Sequence, residues 1–154
     1  MEDTSPNYTK IMTYIDRNPA AVLSTVNEDG APHGAVVYIC TTSHRNVCFV
    51  TKNLTRKFGN IAKHPQVSLT FFNEKEGTTL QASGNAFVAD NPEMINYVLD
   101  KMNKMHAMQA GWVPPVTKLD AGEYAVIGIE LQDARLADYS TTGIGNNEAT
   151  YTEL

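Results

Sequence analysis

The residues best suited by type and spacing to a defined chemistry are Val50-Thr51-Lys52-Asn53-Leu54-Thr55-Arg56-Lys57. A strand pattern ends at Thr51, a short loop follows, and two adjacent cations open a helical pattern. Free N–H groups and the positive end of the helix dipole are available at such a junction, which suits a phosphate. Arg56 can offer a bidentate fork, Lys57 a point charge, and Thr51 and Thr55 hydroxyl donors. The same spacing also fits a solvated basic loop, and spacing alone does not decide between the two.

Other chemistries find little support. His33, His44, His64 and His106 fall on four different elements, with no carboxylate or cysteine at ligand spacing, so no metal site is expected. Cys40 and Cys48 sit within strand patterns and read as small buried hydrophobes rather than nucleophiles. There is no nucleophile elbow, no Gly-rich dinucleotide loop and no Ser/His/Asp or Cys/His set, so no catalytic side chain is assigned. Trp112, followed by Pro114-Pro115, is an aromatic on a stiff loop, which suits a lid over a ring or plain packing. The Met-rich segment around His106 reads as core or dimer contact.

The elements that must position these residues follow from pattern. Ser5 caps and Pro6 opens a short helix whose Tyr8, Ile11, Met12 and Ile15 form one apolar stripe, and Asn18-Pro19 ends it. Strands are expected over 21–26, 33–41, 47–51, 66–73, 78–89, 123–131 and 134–139, with turns at Asn27–Gly30, Ser43–Asn46 and Glu74–Gly77. Gly84 marks a bulge or bend in the fifth strand. A two-turn helix spans 55–63 and stops at His64-Pro65. A longer one, opened by Pro92-Glu93, carries Ile95, Val98, Leu99, Met102 and Met105 and fails near Gly111. Six or seven antiparallel strands in a chain this size predict a mainly β (α+β) barrel with flanking helices, since closure removes exposed edges. Residues 1–139 form one domain and 140–154 a polar tail or arm.

Twelve Lys and Arg against seventeen Asp and Glu give a net charge of -5, which speaks against a nucleic-acid protein. No apolar run approaches the roughly 20 residues of a membrane span. The acidic, polar start is unlike a signal peptide. The expectation is a single cytoplasmic domain that contacts neither nucleic acid nor membrane.

Taken in order, seven segments resemble the pyridoxamine 5'-phosphate oxidase-like family, the FMN-binding split β-barrels. They are Leu23-Ser24-Thr25-Val26, Asp29-Gly30, Pro32 with the strand Ala35–Cys40, Val50-Thr51, Arg56-Lys57, His64-Pro65 and Val67-Ser68-Leu69. The resemblance runs from about Ala20 to Asp90 and, more loosely, through the Trp112 loop and 123–131. It implies a six- to seven-stranded antiparallel split barrel binding FMN, with Arg56 and Lys57 on the phosphate. Val50 and Thr51 would line the ribityl-phosphate arm, with Thr55, read from spacing, as a further hydroxyl donor to the cofactor. Ala35, Val36, Val37, Tyr38, Ile39 and Cys40 would run along the flavin ring. It further implies a homodimer with a flavin at each end of the interface, and Trp112 reaching over from the partner chain.

Departures from the family pattern are equally informative. The true oxidase has an arginine and a lysine where this chain has Ala35 and Cys40, and its Arg-x-His substrate motif is missing from Arg135-Leu136-Ala137-Asp138. The expected function is therefore that of a relative: an FMN-dependent oxidoreductase moving hydride or electrons from a reduced nicotinamide to an unidentified acceptor. Alternatives are a non-catalytic FMN carrier, or a deazaflavin- or haem-binding protein on the same barrel, with His33 or His106 competing as the haem ligand.

Overall fold

The computed structural model describes residues 5–108, 121–140 and 149–154. Its elements run α1 (Pro6–Arg17), β1 (Ala20–Val26), β2 (Pro32–Tyr38), β3 (Cys40–Thr41), β4 (Asn46–Lys52), α2 (Arg56–Lys63), β5 (Gln66–Asn73), β6 (Thr78–Val88), α3 (Pro92–Met108), β7 (Tyr124–Asp138) and β8 (Thr150–Glu153). Seven strands lie in the antiparallel order β2-β1-β5-β6-β7-β4-β3, and β8 pairs with β7. The two ends of that path, β2 and β3, are consecutive in the chain and separated by Ile39 alone. A flat sheet cannot place its first and last strands one residue apart. The sheet must curl until its edges meet at that corner, which makes a split barrel with three flanking helices.

Residues that alternate in sequence alternate in burial. On the inner face Ala21, Leu23, Val37, Leu69, Phe71, Leu80 and Ile129 join Ile11 and Ile15 of α1 and Ile61 of α2 in the main core. Helix α1 starts as its sequence requires, with the Ser5 hydroxyl accepting from the Tyr8 N–H and proline in the first turn. Strand β4 and the 126–129 stretch of β7 are buried on both faces because their outer face is covered as well. Cys40, Cys48, Val50 and Val126 pack there under Val98 and Met102 of α3. Among the described residues, no helix is long and apolar enough to cross a membrane.

Three expected boundaries shift. The strand expected over 33–41 divides at Ile39, where the chain passes from one sheet edge to the other. The strands expected over 123–131 and 134–139 are one, β7. Its consecutive exposed residues Gln132 and Asp133 mark a bulge rather than a turn, since Leu131 pairs with Gly84 and Asp133 with Ser83. Finally, within the segment expected to be a polar tail or arm, Thr150–Glu153 pairs with β7. Trp112, Pro114 and Pro115 lie outside the described residues.

Candidate functional site

A cavity of ≈ 340 Å³ opens where β1, β2 and the start of α2 converge, lined by Thr25, His33, Gly34, Ala35, Arg56 and Lys57. The antiparallel register sets one wall. With Thr25 opposite His33 and Leu23 opposite Ala35, these side chains share the inner face, one strand-width apart. The other wall is the first turn of α2. Lys63 pairs with Glu28 of the β1–β2 turn, which ties the far end of the helix to the same hairpin.

Thr55 is the N-cap residue of α2, yet its side chain does not cap. The hydroxyl donates instead to the Lys52 carbonyl at 2.8 Å and lies 3.2 Å from the Thr51 hydroxyl. The first amides of an α-helix have no partner within it, so here they stay available to an outside acceptor. Beside them stand Arg56, exposed, and Lys57, half-buried. Neither has an ion-pair partner among the described residues, and no carboxylate lines the cavity. Burial pushes the Lys57 ammonium below its ordinary pKa, the signature of a cation desolvated without a counter-charge. In a chain of net charge -5, this corner gathers positive charge around helix-start donors that the N-cap side chain does not satisfy.

Behind the cavity lies Asn60, 8% exposed. Its amide nitrogen donates to the Thr25 hydroxyl at 3.0 Å and sits 3.2 Å from His33 Nδ1. Thr25 and Asn60 are not singled out for the site by sequence pattern, and His33 is singled out only as an alternative haem ligand. The pair of strand residues could have been found by counting register outward from the Asn27–Gly30 turn. Asn60 depends on a contact between helix and sheet that local pattern does not encode.

The remaining residues singled out from sequence are distributed as follows. Ala35, Arg56 and Lys57 meet in the cavity. Val36 points to the outer face and is 61% exposed, Val37 and Ile39 belong to the inner core, and Tyr38 and Cys40 pack with α3. Val50 lies on the outer face under α3, and Thr51 is fully buried with its hydroxyl toward Thr55. Trp112 is outside the described residues. β2, which carries much of this run, pairs only with β1, so its other edge presents backbone donors and acceptors that no described strand uses. No group of three or more His, Cys, Asp or Glu that could hold a metal occurs among the described residues.

Comparison with known proteins adds an independent line. Residues 9–138 match the family model described as pyridoxamine 5'-phosphate oxidase. A pyridoxine/pyridoxamine 5'-phosphate oxidase of Haemophilus influenzae is 34% identical over 62 residues, a stretch covering 40% of this chain and 30% of that protein. Among solved structures, a putative pyridoxamine 5'-phosphate oxidase from Listeria innocua superposes with a TM-score of 0.65 at 17% identity, covering 83% of this chain and 95% of its own. A pyridoxamine 5'-phosphate oxidase-related, FMN-binding protein from Nostoc punctiforme gives 0.64 at 9% identity, covering 99% of this chain and 98% of its own. At these identities the structural matches establish a shared fold.

Proposed function

The chain belongs to the pyridoxamine 5'-phosphate oxidase family, and from that premise we propose that it is a flavoprotein whose α2 cavity holds the phosphate of FMN. One observation carries the reading. Arg56 and Lys57 stand side by side, without ion-pair partners among the described residues, at a helix start whose N-cap side chain is turned away, in a cavity free of carboxylates. A phosphate monoester supplies the missing acceptors and the missing negative charge together. From that anchor Ala35 would line the ribityl arm, and the β2 edge that no described strand uses would hold the flavin ring, its backbone N–H groups being donors suited to ring carbonyls and nitrogens. The Nostoc punctiforme relative of the same fold, an FMN-binding protein, supports this choice of cofactor.

When bound, FMN supplies hydride and electron transfer. The chain's own residues then need only bind the group, orient it and exclude water, so the lack of an assigned catalytic side chain is no obstacle. The reading extends to an oxidoreductase that accepts hydride or electrons from a reduced nicotinamide and passes them to another acceptor. Pyridoxamine phosphate is not that partner: Ala35 and Cys40 stand where the resemblance calls for an arginine and a lysine, and neither can grip a phosphorylated substrate.

A second copy of the chain completes the working unit in this reading. The adjacent strands β2, β1, β5 and β6 contain no Lys, Arg, Asp or Glu. On their outer face Val22, Val36 and Phe72 are 43%, 61% and 65% exposed. Both helices near these strands, α1 and α2, pack into the inner core instead. An uncharged sheet face that no described helix covers is suited to association. This one adjoins the cavity at Gly34, so a second copy would close the flavin site.

The test is the absorption spectrum of purified protein after adding FMN, followed anaerobically by reduced nicotinamide. Bound flavin that bleaches supports the oxidoreductase. Bound flavin that nicotinamide cannot bleach favours a carrier or another donor. A protein that takes up no FMN overturns the proposal.

A further inference from the structure

Resting on the FMN reading, we propose that His33 is a third donor to the flavin phosphate, fixed in donor form by Asn60. Asn60 has two amide hydrogens and two acceptors at hand, Thr25 Oγ1 at 3.0 Å and His33 Nδ1 at 3.2 Å. With the Asn60 nitrogen donating, Nδ1 accepts, and the ring proton stays on Nε2. His33 lines the same cavity as Arg56 and Lys57, so Nε2–H is the ring edge left for a bound group. The imidazole therefore needs no positive charge to serve as a donor.

Burial strengthens the assignment. Asn60 is 8% exposed and Thr25 2% exposed, so each polar atom there needs its partner, and turning the ring away from Asn60 would strand a buried amide hydrogen. The resulting chain Thr25–Asn60–His33 joins β1, α2 and β2, the three elements that form the cavity wall. His33 and Ala35 also lie on the same strand face and line the same cavity. Asn60 is in this account a positioning residue: it touches His33, not the phosphate.

Paired titrations with FMN and riboflavin, which differ by the phosphate alone, test the proposal. His33→Ala is expected to weaken FMN about tenfold, the scale of one hydrogen bond to a charged group, and to leave riboflavin unchanged. Asn60→Ala is expected to weaken FMN in the native background and to add nothing when His33 is already alanine. Equal FMN affinity in His33→Ala and the native protein, with Arg56→Ala/Lys57→Ala still losing FMN, overturns the role of His33 and leaves the FMN reading standing. Equal losses for FMN and riboflavin also overturn it, because the contact is then not to phosphate. An Asn60→Ala loss that persists in the His33→Ala background overturns the positioning role. Native protein that binds no FMN overturns both proposals.

Discussion

Cys40 and Cys48 stand directly opposite one another on β3 and β4, both fully buried beneath α3 and both free thiols. Burial lifts Cys40 to about 11, and burial together with the neighbouring Cys40 lifts Cys48 to about 12. The thiolate is the reactive form, so both residues are expected to resist thiol reagents at neutral pH until the protein unfolds, when two thiols react. Rapid labelling of native protein would contradict the packing described.

The same thiols set a pH dependence. In the unfolded chain both titrate near the ordinary value of 9.0, so on raising the pH the unfolded state loses its protons first. Their contribution is complete below about pH 9 and is lost as the pH climbs through the folded values, on the order of 2 kcal/mol from Cys40 by about pH 11. Denaturant melts between pH 7.5 and 10.5 should fall more steeply for the native chain than for a Cys40→Ala/Cys48→Ala variant. Parallel profiles would contradict this.

Two glycines on the β6–β7 ladder should respond differently to alanine. At Gly84 a Cβ would lie 2.2 Å from the Glu130 carbonyl oxygen, which is backbone beside the bulge and cannot swing aside. At Gly128 the obstacle is the Phe87 ring, 2.3 Å away but on a 38% exposed side chain that can move. Gly84→Ala is expected to cost about 3 kcal/mol and Gly128→Ala about 1 kcal/mol, read from chemical denaturation. Equal costs would show that the bulge is not the rigid point.

If the uncharged outer face pairs two chains, charge placed on it should separate them. Val36→Lys with Phe72→Lys is expected to shift the sedimentation coefficient from dimer to monomer with little loss of monomer stability, because both side chains are largely exposed in one chain. An unchanged sedimentation profile would contradict association through this face.

Signals carried by neighbouring residues were legible in the sequence. Ser5-Pro6 opened α1, His64-Pro65 closed α2, and Arg56-Lys57 marked the cavity because a helix start is a local property. What required three dimensions was hidden. Ile39 continues an apolar run, so nothing local shows that the chain there crosses from one edge of the sheet to the other. Gln132-Asp133 has the polarity of a turn, but a bulge opposite Gly84 also exposes two consecutive residues. Asn60 looks like an ordinary helix-surface residue until its partner 27 positions away, His33, is brought beside it.

The central claim is that Arg56 and Lys57 hold the phosphate of FMN, and the affinity of Arg56→Ala/Lys57→Ala for FMN tests it most directly. Two hydrogen bonds to a charged group at about 1.5 kcal/mol or more each predict at least about a 100-fold loss. Circular dichroism should be unchanged, because the Arg56 side chain is exposed and Lys57 has no ion-pair partner among the described residues. An intact double variant that binds FMN as tightly as the native chain would contradict the account.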